Sequence, residues 1–289
     1  MRILIVGAGA VGGFFGARLI QAGADVTFLV RPARRALLER NGLAIESPHG
    51  DFTVRPKLVL AEDVTPDYDL IVLSSKAYDL ESALASVAGA SSRGLLLPVL
   101  NGLAHMAMLD ARFGRPRVMG GVVHIVSTIA ETGAIRQLTP LNVLTVGPRD
   151  PAHEALARAF YGTCQAARFD SRYSELIEQS LWDKWTFLAT LAGATTLFRG
   201  TIGDIVATAN GTALITAMFD ECLAVASVHG FPIADDVRSV SMGRLTEPAS
   251  PMTSSMLRDL LGGSRAEHEH ILGELVRLKK PVFLGGAAQ

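Results

Sequence analysis

Residues 1–12 read MRILIVGAGAVG, and this stretch decides the fold. The apolar run at 3–6 (ILIV) is typical of a β-strand that is buried on both faces. The glycine-rich turn at 7–12 follows the strand directly and opens a helix-like segment that ends at Gly23. A strand, a turn of the form G-x-G-x-x-G and a helix, in this order, predict the first unit of a dinucleotide-binding fold.

Each glycine of the turn has a separate task in such a fold. Gly7 allows a tight turn, Gly9 lets a pyrophosphate approach the backbone, and Gly12 lets the helix pack closely on the strand. The alternative is an ordinary glycine-rich turn with no ligand. We expect the whole turn to bind the cofactor, namely Gly7, Ala8, Gly9, Ala10, Val11 and Gly12.

The next hundred residues continue the same pattern. Apolar runs at 26–30, 69–74 and 94–100 predict further strands, and the segments 33–41 and 79–90 predict helices. Strands that alternate with helices indicate βαβ units and a parallel, doubly wound sheet.

The pattern changes twice beyond about residue 115. Short β-like runs between about 115 and 169 predict an antiparallel extension of the sheet. Beyond about residue 172 the sequence is helical in character, with a long helix candidate at 174–197. We therefore predict an α/β protein with a doubly wound Rossmann domain at 1–170, followed by an all-helical substrate and catalytic domain at 171–289.

Composition narrows the class of protein. Hydrophobic residues make up 49% of the 289 residues and the formal net charge is −1, so a folded core is expected and a nucleic-acid partner is not. No stretch reaches the ~18–20 uninterrupted apolar residues of a membrane span. Cys164 and Cys222 lie far apart and are typical of free thiols in a reducing compartment. We expect a cytoplasmic protein with no membrane partner and, since no HExxH motif or Cys/His cluster occurs, no metal.

The end of the second strand indicates which dinucleotide is bound. Proteins that bind NAD usually carry an acidic residue there, which holds the ribose 2′-hydroxyl. This chain has Arg31 instead, with Arg34 and Arg35 close behind and no acid at the strand end. Arginine suits a 2′-phosphate, so the sequence favours NADP. The alternative is that Arg31 merely caps a surface turn.

Five stretches together resemble the ketopantoate reductase (2-dehydropantoate 2-reductase) family. They are GAGAVGG at 7–13, SKAY at 75–78, LNG at 100–102, LWDKW at 181–185, and SSMLRD at 254–259 followed by Glu267. The resemblance implies a Rossmann domain, a helical C-terminal domain and an active site in the cleft between them. It also implies reduction of a small-molecule 2-oxo acid with NADPH, as in pantothenate biosynthesis.

The resemblance also implies the residues that carry the chemistry. Lys184 matches the catalytic lysine, which supplies a proton to the forming alkoxide, and it stands beside Trp182 and Trp185. Such apolar surroundings lower the pKa of a lysine, although a snorkelling surface lysine is the alternative. Asn101 and Ser255 match contacts to the substrate, Ser255 to its carboxylate. Asn101-Gly102 is also a sequence that favours an ordinary turn.

Four residues match family contacts to the cofactor. Lys76 and Asn101 match positions near the nicotinamide end, Glu267 matches a carboxylate that touches the cofactor, and Ile125 falls near a backbone contact. Lys76 follows a buried strand at its carboxyl end, where open α/β sheets bind ligands; the alternative is a solvated lysine. Glu267 lies among charged neighbours, so alone it indicates a charged helix face.

Three positions depart from the family pattern. Asparagines that hold polar groups of the substrate in the family are replaced by Leu188, Ala192 and Ile202. We expect a more apolar pocket wall, weak activity on ketopantoate and better activity on a 2-oxo acid or ketone with an apolar tail. The alternative is a true ketopantoate reductase that anchors its substrate elsewhere.

Two other functions are alternatives to a 2-oxo acid reductase, namely a sensor of NADP(H) and a 3-hydroxy acid dehydrogenase. An NADP(H)-sensing protein without turnover would need neither Lys184, Ser255 nor Glu267, and a 3-hydroxy acid dehydrogenase shares the two-domain plan. Domain closure predicts a hinge near 168–173. The sequence leaves a homodimer open.

Overall fold

The computed structural model describes residues 1–87, 90 and 93–284, so residues 88 and 89 of the helix expected at 79–90 lie outside the described residues. The chain forms two compact units. The first unit comprises Met1–Leu100 and Met106–Ile177, and the second comprises Asn101–His105 and Glu178–Gln289. The short segment Asn101–His105 therefore belongs with the C-terminal part of the chain.

The strands all lie in the first unit. In chain order they are β1 (Arg2–Val6), β2 (Asp25–Leu29), β3 (Leu43–Glu46), β4 (Phe52–Val54), β5 (Lys57–Val59), β6 (Leu70–Leu73), β7 (Leu95–Pro98), β8 (Gly120–Ile129), β9 (Ile135–Gly147) and β10 (Asp170–Tyr173). A five-stranded sheet has the order β5-β2-β1-β6-β7, and every pair in it is parallel. The predicted fold class is confirmed, since this is the doubly wound parallel sheet.

The helices divide between the two parts of the chain. In chain order they are α1 (Ala10–Gln21), α2 (Pro32–Asn41), α3 (Leu80–Ser86), α4 (Ala104–Phe113), α5 (Glu154–Gln165), α6 (Ile177–Phe198), α7 (Ile202–Val206), α8 (Gly211–Val228), α9 (Asp235–Leu245), α10 (Ser255–Leu261) and α11 (Glu274–Leu284). A 3₁₀ turn at Ala77–Asp79 precedes α3, and a π-helical turn at Glu269–Gly273 precedes α11.

The antiparallel extension expected at about 115–169 is instead a second, mixed sheet. β8 pairs with β9 in antiparallel fashion, and the other edge of β9 pairs in parallel with β3 and β10. The reason is local closure: Ala130 and Ala134 form a tight turn in which Gly133 has a φ of 84°. β8 therefore pairs along its length with β9, whereas in the described part of the chain β7 of the first sheet forms a single isolated bridge with this region, between Leu96 and Val118.

Helix α1 lies close to both sheets because glycine occupies the positions where it comes nearest to their strands. A Cβ on Gly12 would lie 2.0 Å from Ser74 Oγ, at the end of β6. A Cβ on Gly13 would lie 2.2 Å from Ile135 Cδ1, on β9. Residues Gly12–Leu19 are all buried, as expected for a helix covered on more than one side.

The second unit is built around α6. One of its faces contributes Trp185, Ala189 and Ala192 to one apolar cluster, and another contributes Leu191 and Ala194 to a second cluster. A helix that is apolar on several faces is a core helix. This central position fixes α6, and with it every side chain that α6 carries.

Helix α8 has the length and hydropathy of a membrane span, with a mean hydropathy of 1.4 over 18 residues. Its side chains nevertheless enter both apolar clusters of the second unit, Phe219 one of them and Val225 the other. One such helix is weak evidence for a membrane, since core helices of soluble proteins share this composition.

The hinge expected near 168–173 is wrong for most of that segment. Asp170–Tyr173 form β10, which is paired in register with Val143–Val146 of β9. Strand pairing holds both dihedral angles of each residue, so these residues are unsuited to the large backbone changes of a hinge. The end of the first unit at Ile177 lies beyond β10.

Candidate functional site

The glycine-rich turn of the first unit has the shape that a pyrophosphate needs. Gly7 has a φ of 94°, and Gly9 is the N-cap of α1. The first amides of a helix have no partner within the helix, and Gly9 has no side chain with which to cap them. Among the described residues, a Cβ on Gly9 would meet no atom within 4 Å. Open space beside uncapped amides fits the pyrophosphate of a nicotinamide dinucleotide.

Three side chains hold this turn through its backbone carbonyl groups. The hydrogen bonds are Ser74 Oγ to Val6 O (3.0 Å), Arg34 Nη2 to Ala8 O (3.1 Å) and Ser127 Oγ to Ala10 O (3.1 Å). The sequence reasoning missed Ser74 and Ser127. Contacts to a backbone carbonyl leave no motif in the sequence, and Ser127 lies 117 residues from Ala10.

The three arginines after β2 have different partners. Arg34 is half-buried and donates to backbone carbonyl groups, and Arg35 pairs with Glu39 at 2.7 Å. Only Arg31 has a largely exposed side chain, at 74%, and its Nη2 lies 3.5 Å from Asp79 Oδ2. The end of β2 carries no acid, as expected, but Asp79 reaches Arg31 from the turn after β6.

The other cofactor candidates of the first unit lie after β6 and on β8. Lys76 is the N-cap of the 3₁₀ turn after β6 and is partly buried. Ile125 pairs with Asn142 and is followed by a register shift that ends at Ser127. β-Bulges occur often beside active sites, where they redirect a side chain. Here the irregularity precedes the serine that holds the glycine-rich turn.

In the second unit, Lys184 and Asn101 are in direct contact. Lys184 Nζ donates a hydrogen bond to Asn101 Oδ1 at 3.0 Å. The adjacent Gly102 has a φ of 77°, and a Cβ there would lie 2.3 Å from the carbonyl oxygen of His270. Position 102 thus requires glycine for its conformation and for its close approach to the π-helical turn.

Two opposing effects act on the ammonium group of Lys184. Desolvation by burial lowers the pKa of Lys184 to about 8, and the charge of Glu267 acts in the opposite direction. Glu267 is itself buried, with 4% of its surface exposed. Lowering is the direction expected from the apolar surroundings of Lys184. A lysine with such a pKa can exchange a proton near neutral pH, as a general acid must.

The segment that carries Glu267 is fixed to α6 beside Lys184. Trp185 Nε1 donates to the carbonyl oxygen of Ile271 at 3.0 Å, and the backbone amides of His270 and Ile271 both donate to the carbonyl of Glu267 at 3.1 Å. π-Helical turns are rare and occur frequently at functional sites. This one holds Glu267 in the neighbourhood of Lys184.

The two serines before α10 have different surroundings. Ser254 Oγ accepts a hydrogen bond from the Leu257 amide at 3.1 Å and lies 2.9 Å from Thr195 Oγ1 on α6. Ser255 is partly buried, and within the part of the chain that the structure describes its hydroxyl forms no hydrogen bond. Ser254 therefore serves the fold, whereas the Ser255 hydroxyl is available to a ligand.

The three departures from the family pattern do not form one wall. Ala192 and Ile202 are fully buried, at 0% exposure each, in the two apolar clusters of the second unit. Only Leu188, one helical turn beyond Lys184, keeps exposed surface. The expectation of a three-residue apolar wall is wrong, because Ile202 at the start of α7 packs into the protein core.

Neither cysteine nor any acidic cluster suggests further chemistry. Burial raises the pKa of Cys164 to about 12 and that of Cys222 to about 11, so both thiols are protonated and unreactive at neutral pH. Among the described residues, no group of three or more His, Cys, Asp and Glu side chains could hold a metal ion.

Comparison with known proteins finds family matches in both units. The family model described as "Ketopantoate reductase PanE/ApbA" matches residues 3–151, and the model of its C-terminal part matches residues 176–281. The "Uncharacterized oxidoreductase YkpB" of Bacillus subtilis is 33% identical over 98% of this chain and 94% of its own length.

Solved structures agree with this result. A 2-dehydropantoate 2-reductase from Geobacter metallireducens has a TM-score of 0.87 and 26% identity over 97% of this chain and 94% of its own. A D-mandelate dehydrogenase, solved with NADH and anilino(oxo)acetate, has a TM-score of 0.86 at 22% identity over 98% of this chain and 92% of its own, and shares the fold. The chain belongs to the ketopantoate reductase family of nicotinamide-dependent oxidoreductases.

Proposed function

We propose that this oxidoreductase uses NADPH to reduce the ketone of a 2-oxo acid in the cytoplasm, and that Lys184 is the acid. The observation that carries the proposal is the Lys184 ammonium, whose pKa is lowered to about 8 and which donates to Asn101 at 3.0 Å. An oriented ammonium with a pKa near neutrality suits proton donation in a reduction. The same fold occurs in a D-mandelate dehydrogenase, so the fold alone does not select the substrate.

The chemistry that the cofactor supplies is a hydride, which adds to the carbonyl carbon of the substrate. Negative charge then develops on the carbonyl oxygen, and Lys184 Nζ stabilises that charge and transfers its proton to the oxygen. Asn101 Oδ1 orients the ammonium through its hydrogen bond. Glu267 keeps the ammonium protonated, since its charge raises the pKa that burial lowers.

The substrate carboxylate and the cofactor have further candidate partners in this proposal. The Ser255 hydroxyl forms no hydrogen bond within the described chain and would bind the carboxylate of the substrate. In the first unit, Gly7–Gly12 would bind the pyrophosphate, Arg31 the 2′-phosphate, and Lys76 and Ile125 the part of the cofactor nearer the nicotinamide.

Leu188 bears on which 2-oxo acid the protein reduces. Leu188 lies one helical turn beyond Lys184 and keeps exposed surface, whereas the family has an amide at this position. A substrate hydroxyl that met Leu188 would lose a hydrogen-bond partner. We therefore propose a 2-oxo acid with a more apolar tail than 2-dehydropantoate. 2-Dehydropantoate itself, and with it a step of pantothenate biosynthesis, is the alternative.

Replacing Lys184 tests the acid. Lys184→Met keeps the apolar stem and removes the ammonium, so kcat for reduction should fall by about 10²–10⁴ while the dissociation constant of NADPH stays within about twofold. Steady-state kinetics and fluorescence titration measure the two effects. Lys57→Met, at an exposed lysine that pairs with Asp25, is the matched control. Near-normal turnover of Lys184→Met would exclude Lys184 as the acid.

The pH profile tests the same proton. Lys184 can donate only when it is protonated, and its pKa is about 8. The kcat/KM for ketone reduction should therefore be constant below about pH 8 and fall tenfold per unit well above it. The reverse reaction needs the neutral amine, so its kcat/KM should rise through the same region. A reduction profile that stays flat to pH 10 would contradict this assignment.

Replacing Arg31 tests the cofactor preference. Arg31→Ala should weaken NADPH binding about tenfold and leave NADH binding unchanged, since an exposed charge-assisted contact to the 2′-phosphate is lost. Calorimetry with both cofactors measures the change. Arg35→Ala is the matched control, because Arg35 is the neighbouring arginine and pairs with Glu39. Equal affinity of the unmodified protein for both cofactors would rule out the proposed preference.

Two substrates that differ by one hydroxyl group test the proposed preference for an apolar substrate tail. The substrate 2-dehydropantoate should be reduced with a lower kcat/KM than its analogue lacking only the 4-hydroxyl group. Leu188→Asn should shift the ratio towards 2-dehydropantoate by about two- to tenfold, the value of one net hydrogen bond, whereas Leu188→Ala should not. If 2-dehydropantoate reacted with a kcat/KM that reached about 10⁴ M⁻¹s⁻¹ or more and exceeded that for the analogue, the apolar preference would be refuted.

A further inference from the structure

The ion pair between Arg31 and Asp79 joins two strand ends on either side of the glycine-rich turn. Arg31 follows β2, and Asp79 ends the 3₁₀ turn that follows β6. In the parallel sheet, β1 lies between β2 and β6 and leads into the glycine-rich turn. The pair, at 3.5 Å between Nη2 and Oδ2, therefore spans the carboxyl end of β1, where open α/β sheets bind their ligands.

This ion pair does little for the stability of the fold. The two side chains are 74% and 41% exposed, and pairs of this kind contribute little because solvent screens them. Asp79 is the N-cap of α3, yet its carboxylate makes no capping hydrogen bond within the described chain. Among the described residues, the Asp79 carboxylate is also the only polar side-chain partner of the Arg31 guanidinium.

Unlike Arg31, the two neighbouring arginines are held by partners within the fold. Arg34 is committed to the carbonyl groups of Ala8 and Gly133, and Arg35 is committed to Glu39. Arg31 is thus the most exposed cation of this segment, and the Asp79 carboxylate already lies 3.5 Å from its guanidinium. A carboxylate and a phosphate bind a guanidinium through the same charge-assisted hydrogen bonds.

We propose that Asp79 is a specificity-determining residue that competes with the 2′-phosphate of NADP for Arg31. The inference rests on the proposed contact between Arg31 and that phosphate. A bound 2′-phosphate must displace the carboxylate from Arg31 or share the guanidinium with it, and the two anions repel each other. A ribose 2′-hydroxyl carries no charge and can donate a hydrogen bond to the same carboxylate. Asp79 therefore narrows the preference for NADPH over NADH.

Adenine nucleotides without the nicotinamide test this proposal through binding alone. Asp79→Asn removes the charge with little change in shape, and Asn caps a helix as well as Asp does. At low ionic strength it should tighten the binding of 2′,5′-ADP by roughly two- to fivefold, the range of an exposed ion pair, and should not tighten the binding of 5′-ADP. Glu81→Gln is the matched control, since Glu81 lies on α3 and pairs instead with Arg112.

The Arg31→Ala background separates the possible outcomes. There the gain from Asp79→Asn should shrink, because the carboxylate no longer holds the cation that the phosphate needs. A gain of full size in that background, an equal gain for both nucleotides, or no gain in the otherwise unmodified protein would overturn the proposal for Asp79. Equal binding of 2′,5′-ADP with and without Arg31 would overturn it together with the proposed cofactor preference. Loss of 2′,5′-ADP affinity in Arg31→Ala without any effect of Asp79→Asn would refute the role of Asp79 alone.

Discussion

The close approach of α1 to the strands on either side of it is the constraint on which the first unit depends. At Gly12 the helix comes so near to Ser74 that even a methyl group would overlap the serine hydroxyl, at 2.0 Å. That same hydroxyl donates to the carbonyl of Val6, the last residue of β1 before the glycine-rich turn. A side chain at Gly12 would therefore disturb both the packing of α1 and the backbone amides that we propose for cofactor binding.

A comparable dependence exists in the second unit. The proposed role of Lys184 as the acid requires that desolvation lowers its pKa while a nearby carboxylate keeps the ammonium largely charged. Hydrogen bonds of the π-helical turn hold Glu267 near Lys184. The indole of Trp185 donates to the carbonyl of Ile271, and the carbonyl of Glu267 accepts hydrogen bonds from the backbone amides of His270 and Ile271. The neighbours of the reacting groups are thus fixed by backbone hydrogen bonds and by one indole.

The elements that could be predicted from the sequence are those whose pattern is local. Apolar runs predicted β1, β2, β6 and β7, and the glycine-rich turn predicted α1. The short strands β3, β4 and β5 carry partly exposed residues and no such run. The second sheet depends on β9 pairing along both of its edges, which no single segment reveals.

In the candidate site, too, contacts between residues of sequence motifs could be predicted, whereas contacts set by tertiary packing could not. The contact between Lys184 and Asn101 involves residues that sequence motifs had marked. The hydrogen bonds of Arg34 and Ser127 to carbonyl groups, and the approach of Asp79 to Arg31, depend on strand order and could not be predicted. The burial of Ile202 likewise follows from helix packing rather than from its position relative to Lys184.

The assignment of Asn101–His105 to the second unit has an evolutionary consequence. The helical part of this protein is not encoded by one continuous stretch of gene, since five of its residues are inserted between β7 and the body of α4. A recombination event that joined residues 178–289 to a different nucleotide-binding half would transfer Lys184 without the amide that orients it. Such an exchange would keep the hydrogen bond between Lys184 and Asn101 only where the recipient carried Asn-Gly after its own corresponding strand.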